Sequence, residues 1–591
     1  MNTTRRGRKV LALAAASAVI FAACGSDDDS GSSDTSASDS TEAATEGTDA
    51  PDTTDDMTET TDDMTEEGEE PAGEPVFRIT YNLSENAVWE DGTPISVADF
   101  ECARQATIGT PGSLSTVGYE SITSIAEGDS PSQIVVEMDT VFAAYKTLFD
   151  NELVKAAAIE DCNDVTDDFA GGIPFSGREW ILESWSPEQA VWVPNPGYTG
   201  SRVPKTERIV IVPAEDGATL LKSGAVDFIF PQPYTGLDAE LDDPNVAFDT
   251  ALSGQFEALR FMQVDDDRAG PFADDDFRKA FSMSIDLDGV YEQIYAPFAQ
   301  GAGLLTCGAI APGPYCDPET FTDTYDPEGA ATLLTDAGWT QNGDGFWESP
   351  DGEVPEVRWM VNTGNTRRES TQAYLIPLLQ EAGFNVVADN CEALPCVFQT
   401  RLPGLDWDMA QYIDVVTPDP QYLGDLFICE NIPTEDNDFL GQNYYGYCNE
   451  EASALLREAD VTIDEDARAE LVKEALQFTA ADAVMLPTLQ FPNVGAYRTD
   501  RVANSQGELG NYRAFNDWWQ WEDVDGDGQI VIGAEQFPDP SCSNPINECA
   551  GSSWYLWAAA QNAMPSLFDP TNDQTFEISE TLASEPVVEE L

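Results

Sequence analysis

Asp523-Val-Asp525-Gly-Asp527-Gly528 comes nearest, by residue type and spacing, to a site that could do chemistry. Carboxylates at positions one, three and five with a glycine at six open a calcium loop. The bidentate acid expected at position twelve is missing: Ala534 stands there, and Glu535 comes one residue late. A flexible acidic linker is the alternative reading, and no metal is assigned. Histidine is absent from all 591 residues, which removes His triads, His general bases and imidazole metal sites together. Carboxylates remain for acid–base work. With 109 acidic residues, composition leaves an exported hydrolase such as a glycosidase open, although no nucleophile motif supports one. No cofactor is expected.

The eleven cysteines are the other reactive set. One, Cys24, follows an apolar leader. The remaining ten are even in number, none sits in a CxxC pair, and no His assists them, so disulfides are favoured over a metal site. Spacing suggests Cys307 with Cys316, Cys391 with Cys396, Cys429 with Cys448 and Cys542 with Cys549, leaving Cys102 with Cys162. Sequence alone does not fix this connectivity.

The leader explains the oxidising compartment. Arg5, Arg6, Arg8 and Lys9 precede the apolar run from Val10 to Ala23, which is too short to span a bilayer and ends in small residues. Phe21-Ala22-Ala23-Cys24 resembles a bacterial lipobox, which implies lipidation of Cys24. Residues 25–75 hold nineteen acidic residues, no Lys or Arg, and almost no large apolar side chain. Such a segment cannot offset its ordering entropy and is expected to be a disordered, self-repelling stalk. The net charge of −82, with only seven lysines, excludes nucleic acid as a main partner. It also suits solubility at high salt. The protein is thus expected to be exported and anchored by lipid to the outer face of the cytoplasmic membrane.

Beyond residue 75 the pattern is mixed α/β. Phe77 to Leu83, Gln133 to Met138, Arg208 to Val212 and Val357 to Val361 alternate or run apolar as strands. Phe277 to Ile294, Arg368 to Ala382 and Ala467 to Ala483 show helical spacing. Roughly 515 residues exceed what one simple core holds, so two or three lobes are predicted.

Five motifs occur in series. The first is Val88-Trp89-Glu-Asp91-Gly92-Thr93-Pro94-Ile95-Ser-Val-Ala-Asp99-Phe100. The others are Pro174-Phe-Ser-Gly177 with Trp180, Leu221-Lys-Ser-Gly224-Ala-Val-Asp227, Phe277-Arg278-Lys-Ala280 to Asp286, and Ala337-Gly338-Trp339 with Gly343-Asp344-Gly345. Together they resemble the family 5 bacterial solute-binding proteins, the receptors of peptide, nickel and some oligosaccharide ABC importers. The resemblance covers roughly residues 76–520. It implies a two-lobed periplasmic-binding-protein-like fold of type II with an extra subdomain. It also implies a peptide or other small-molecule ligand between the lobes, an ABC permease as membrane partner, a monomer, and no catalysis. The connecting strands are expected near 258–262 and 486–491. A surface adhesin, or an oligosaccharide-binding or sensory receptor, on the same scaffold is a further alternative.

The family's first strand and first helix are missing upstream of Val76. The end of the chain resembles them: Ile530 to Glu535 as the strand, Asn544-Pro545-Ile546 as a turn, Trp554 to Met564 as the helix, then Pro565 to Phe568 and Glu577 to Val588 leading toward residue 76. The chain therefore reads as circularly permuted, with a truncated tandem copy as the rival. The domains are then a lipoprotein signal peptide (1–24), a stalk (25–75), lobe I (76–260), lobe II (261–488), and the remainder of lobe I (489–591), with 529–591 displaced. Peptide-binding members pair the ligand amine with a carboxylate in a segment matching Asp414-Val-Val416-Thr-Pro418-Asp419-Pro420. The pairing position falls on Val416, which puts peptide specificity in doubt. Asp414, Asp419, Trp407, Tyr412, Trp554, Tyr555 and Trp557 are the candidate ligand-binding residues.

Overall fold

A computed structural model describes residues 74–591 except 114, 232–236, 267, 297–302, 323–324, 415–416, 438, 440, 506–516, 536, 538–539, 541–542 and 548–559. The predicted signal peptide with Cys24, residues 25–73 of the stalk, Val416, Cys542, Cys549, Trp554, Tyr555 and Trp557 lie outside the described residues.

In chain order the strands are β1 (Phe77–Asn82), β2 (Ile122–Glu127), β3 (Gln133–Met138), β4 (Trp180–Ser186), β5 (Gln189–Pro194), β6 (Ile209–Pro213), β7 (Phe228–Ile229) and β8 (Val246–Phe261). There follow β9 (Thr340–Gln341), β10 (Trp347–Glu348), β11 (Glu356–Met360), β12 (Asn385–Ala388), β13 (Met409–Asp414) and β14 (Met485–Arg498). The last are β15 (Val502–Ala503), β16 (Glu522–Asp523), β17 (Ile530–Ala534), β18 (Phe568–Pro570), β19 (Phe576–Ile578) and β20 (Val587–Glu590).

Ten of them form one sheet in the order β12-β11-β13-β8-β14-β7-β17-β6-β5-β4. Its two halves carry different cores. One core gathers Phe77, Trp89, Trp180, Trp192, Phe228 and Trp521. The other side is built on Phe261, Phe281, Trp359 and Phe384, with a neighbouring cluster around Phe256, Phe427 and Leu476. Two lobes result. The strands β8 and β14 run through both and pair antiparallel along nearly their whole length, from Val246 opposite Arg498 to Arg260 opposite Met485.

Local chemistry sets the helices that cover lobe II. Asn365 caps Thr366–Glu381 by accepting from the Arg368 N–H at 3.1 Å. Asp274 and Asp464 do the same for Asp275–Met283 and Glu465–Ala481, each satisfying an otherwise orphaned amide. Thr366–Glu381 connects β11 to β12, which pair in parallel, as a βαβ unit requires. The long helix predicted over 277–294 is broken. It splits into Asp275–Met283 and Leu287–Val290, with the π-helical turn Tyr291–Tyr295 beyond, because Asp286 caps a new start.

The tail is part of lobe I. β17 lies inside the ten-stranded sheet, parallel to β6 on one side and β7 on the other. Gly533 is needed there, since a methyl group on it would lie 2.8 Å from the Ala214 Cβ. β20 pairs antiparallel with β1, Phe77 opposite Glu590, and the Leu591 N–H donates to the Val76 carbonyl at 2.8 Å. Ile530, Ile532, Leu567, Phe568 and Leu582 are buried in the same core as Phe77 and Trp89. Four of the five expected disulfides are present: Cys102–Cys162, Cys307–Cys316, Cys391–Cys396 and Cys429–Cys448.

Candidate functional site

The candidate site is the region between the lobes, which β8 and β14 join. Pro487 and Pro492 lack the N–H a ladder needs, so they are tolerated in a central strand only at irregularities. The β14–β8 register shifts between Pro487 and Leu489 and again between Gln490 and Pro492. Side chains replace the lost ladder bonds. The Ser253 Oγ donates to the Phe491 carbonyl at 2.6 Å, and the Gln490 Nε2 donates to the Ser253 carbonyl at 2.8 Å.

The lobes also touch outside β8 and β14. Lys146 of lobe I pairs with Glu465 of lobe II at 2.6 Å. The Ala143 N–H donates to the Asp460 carbonyl at 3.0 Å, and Ile463 packs against the lobe I core. At a second point the turn between β18 and β19 meets the 310–315 loop. A methyl group on Gly313 would lie 2.9 Å from the Gln574 Cβ. The lobes are thus joined by β8 and β14 and also meet at these two points.

Beneath the crossing lies a buried ionic network. Glu257 on β8 is fully buried and accepts from the Arg368 Nε at 2.8 Å, the Arg367 Nη2 at 3.1 Å and the Tyr295 hydroxyl at 2.8 Å. The Gln411 Nε2 donates in turn to Tyr295 at 3.0 Å, and the Arg367 guanidinium sits 5.0 Å from the Phe491 ring centroid. Burial alone would raise the Glu257 carboxyl, but the charges and hydrogen bonds of Arg367 and Arg368 outweigh it and hold it well below the usual range.

The predicted ligand residues fall into two groups. Trp407 is fully buried in a core cluster with Met262, Met360 and Leu405 and presents no face to the cleft. Tyr412 lies on β13 with the Arg260 guanidinium 3.5 Å from its ring centroid. That same guanidinium bonds the Asp414 carboxylate and the Tyr412 carbonyl. Burial pushes Asp414 up despite Arg260. Asp419 holds Arg468 bidentately at 2.7 and 2.9 Å. These four side chains are thus engaged in packing or ion pairs within lobe II. Next to that last pair, burial raises Asp460 to about 7 and Asp425 to about 6.

Sequence reasoning missed Gln574, which has a φ of +60° in the β18–β19 turn and an Nε2 that is buried without a hydrogen-bond partner. The Asn572-Asp573 turn signal was there, but nothing local says what the turn touches. The Asp523, Asp525 and Asp527 carboxylates place one oxygen each within 4.8 Å of one another. Asp523 accepts from the N–H of Gly526 and Gly528 at 2.8 and 2.7 Å. These bonds organise the turn by themselves, and the three acids alone assign no metal. Among the described residues no helix is long and apolar enough to cross a membrane.

Comparison with known proteins agrees with this architecture. The description "Bacterial extracellular solute-binding proteins, family 5 Middle" matches residues 75–432. A periplasmic EDTA-binding protein has a similar structure, with a TM-score of 0.64 at 20% identity over 76% of this chain and 85% of that one. NikZ of Campylobacter jejuni, in complex with Ni(L-His), gives 0.59 at 18% over 76% and 89%. The oligopeptide-binding protein AppA of Bacillus subtilis, in complex with a nonapeptide, gives 0.58 at 17% over 76% and 87%. Among curated sequences, a probable monoacyl phosphatidylinositol tetramannoside-binding protein of Mycobacterium tuberculosis is 28% identical over 117 residues, spanning 19% of this chain and only 18% of that protein. The α/β fold, with two lobes joined by β8 and β14, and the match over residues 75–432 lead to one conclusion: this chain belongs to the bacterial extracellular solute-binding proteins of family 5.

Proposed function

We propose that the protein is a lipid-anchored, monomeric receptor of an ABC importer. It captures an oligopeptide or similar small solute between its lobes and hands it to a membrane permease. The observation that carries this reading is the lobe arrangement: β8 and β14 run continuously through both lobes, which also meet at Lys146–Glu465 and Gly313–Gln574. A solute bound better by the closed arrangement shifts the equilibrium toward closure. Similarity to receptors for a nonapeptide, for Ni(L-His) and for EDTA supports the class of function. The chemistry of lobe II narrows the ligand. Asp414 is tied to Arg260, and valine stands at the amine-pairing position, so a free α-amino group is not what this cleft captures there.

The same reading includes a circularly permuted lobe I, with 529–591 supplying the family's opening segment last. β17 between β6 and β7, and Leu591 bonded to Val76, support it.

A thermal-shift screen tests the function. The full chain is heated with N-blocked and free peptides, oligosaccharides and metal chelates, and each compound is analysed afterwards. One class should raise Tm by several degrees and be recovered intact. Consumption of a stabilising compound, or no stabilisation by any class, would overturn the proposal.

A further inference from the structure

The Gln574 side chain stands where the two lobes close on each other. The Thr571 N–H donates to the Thr575 carbonyl at 2.9 Å and the Gln574 N–H to the Thr571 carbonyl at 3.1 Å, which fixes the turn. The Gln574 backbone is left-handed, and its side chain lies against Gly313 of lobe II. There it lines a recess with Ile310, Gly313, Pro314, Tyr315, Thr417 and Pro418. The walls mix apolar side chains with the polar Tyr315 and Thr417. The Asp573 carboxylate in the same turn accepts from the Thr571 and Thr575 hydroxyls, Asp419 and Arg468 bond each other bidentately, and the Thr417 hydroxyl donates to the Asp419 carbonyl at 3.2 Å.

Gln574 is only 6% exposed, yet its Nε2 has no hydrogen-bond partner. A buried donor without an acceptor is costly, whereas the same donor in water is satisfied. The cost exists only while lobe II covers the turn. Closure over an empty cleft therefore strands the amide, and closure over a solute with an oxygen at this point does not.

We infer that Gln574 senses cleft occupancy: its amide donates to an uncharged oxygen of the bound solute, a carbonyl or hydroxyl, and without that oxygen it disfavours closure. This deepens the solute-receptor reading and rests on it. A carboxylate is the poorer fit, because no cationic side chain lines the recess to balance it.

Closure of the empty protein can be measured without knowing the ligand. Lys146→Cys and Glu465→Cys place two thiols where the lobes touch, and a short bismaleimide reports how often the lobes meet. Gln574→Met keeps the side-chain length and removes the donor; Gln574→Gly also removes it and suits the left-handed backbone. Both should cross-link on the order of fivefold faster than the Gln574 parent with no solute added. Gln574→Glu, which still buries an unmatched polar group, should be no faster than the parent. Rates for the Met and Gly variants equal to or below the parent rate would overturn the inference, since an ordered water would then be satisfying the amide. That outcome leaves the thermal-shift test of the receptor untouched, so the two readings fail separately.

Discussion

A chain ended at Gly528 should not fold its first lobe. Its far-UV spectrum should lose β structure, the cooperative transition of lobe I should vanish, and binding should be abolished. The loss begins in the middle of the sheet. Without β17, β6 and β7 lose their shared neighbour, and the Asp227 N–H and carboxylate lose the Val531 carbonyl and N–H, both at 2.8 Å. Downstream, the Gly177 N–H loses the Ala563 carbonyl, and Arg178 and Arg202 lose Asp569. Burial decides the outcome. Ile530, Ile532, Leu567, Phe568 and Leu582 are each worth roughly 1.5–3 kcal/mol when buried. Together they contribute about 10 kcal/mol, comparable with the ~5–15 kcal/mol that holds a typical domain folded. Moving the chain ends should be harmless by comparison. With a short turn joining Leu591 to the adjacent Val76 and the chain opened between Val524 and Asp527, the rearranged protein should melt within a few degrees of the parent. If the chain ended at Gly528 folded and bound normally, the tail would be an appendage and the permuted reading would fail.

The second large effect is expected at Glu257. Glu257→Ala leaves Arg367 and Arg368 buried around a missing partner. Removing one member of a buried pair costs about 3–5 kcal/mol. The denaturation midpoint in guanidinium should fall accordingly. Asp500→Ala, which removes a surface partner of Arg498 with Asp500 46% exposed, should cost less than about 1 kcal/mol. Replacing all three members together, Glu257→Leu with Arg367→Met and Arg368→Met, should recover much of the loss, because hydrophobic substitutes of similar volume remove the desolvation penalty. The pH dependence has a definite sign. The Glu257 carboxyl is held below its unfolded value, so its contribution is complete above the ordinary carboxylate range. It is lost as the pH falls through the lowered folded value. A loss under 1 kcal/mol in Glu257→Ala would mean that water reaches the network.

What was legible in the sequence was local or periodic. β3 spans Gln133–Met138 as its alternation predicts, and the helices of 366–381 and 465–481 lie within two residues of their apolar spacing. Three closely spaced cysteine pairs, 307–316, 391–396 and 429–448, formed as expected. The cleft was harder to read. β13 is buried at every position, because it lies inside a sheet covered on both faces. Its aromatic and acidic residues therefore look like site residues and are core. Asp414 pairs with Arg260, 154 positions away, and Gln574 meets Gly313 across the lobes. No local pattern carries such contacts. Trp554, Tyr555 and Trp557 remain candidate cleft aromatics.

The receptor mechanism is tested most directly by small-angle X-ray scattering on the full chain, with and without the compound that gives the largest thermal shift. If the lobes close about β8 and β14 on a bound solute, the radius of gyration should fall by on the order of 1 Å at saturation, with the compound recovered unchanged. An unchanged radius at saturation, or conversion of the compound, would contradict a solute receptor that works by closure.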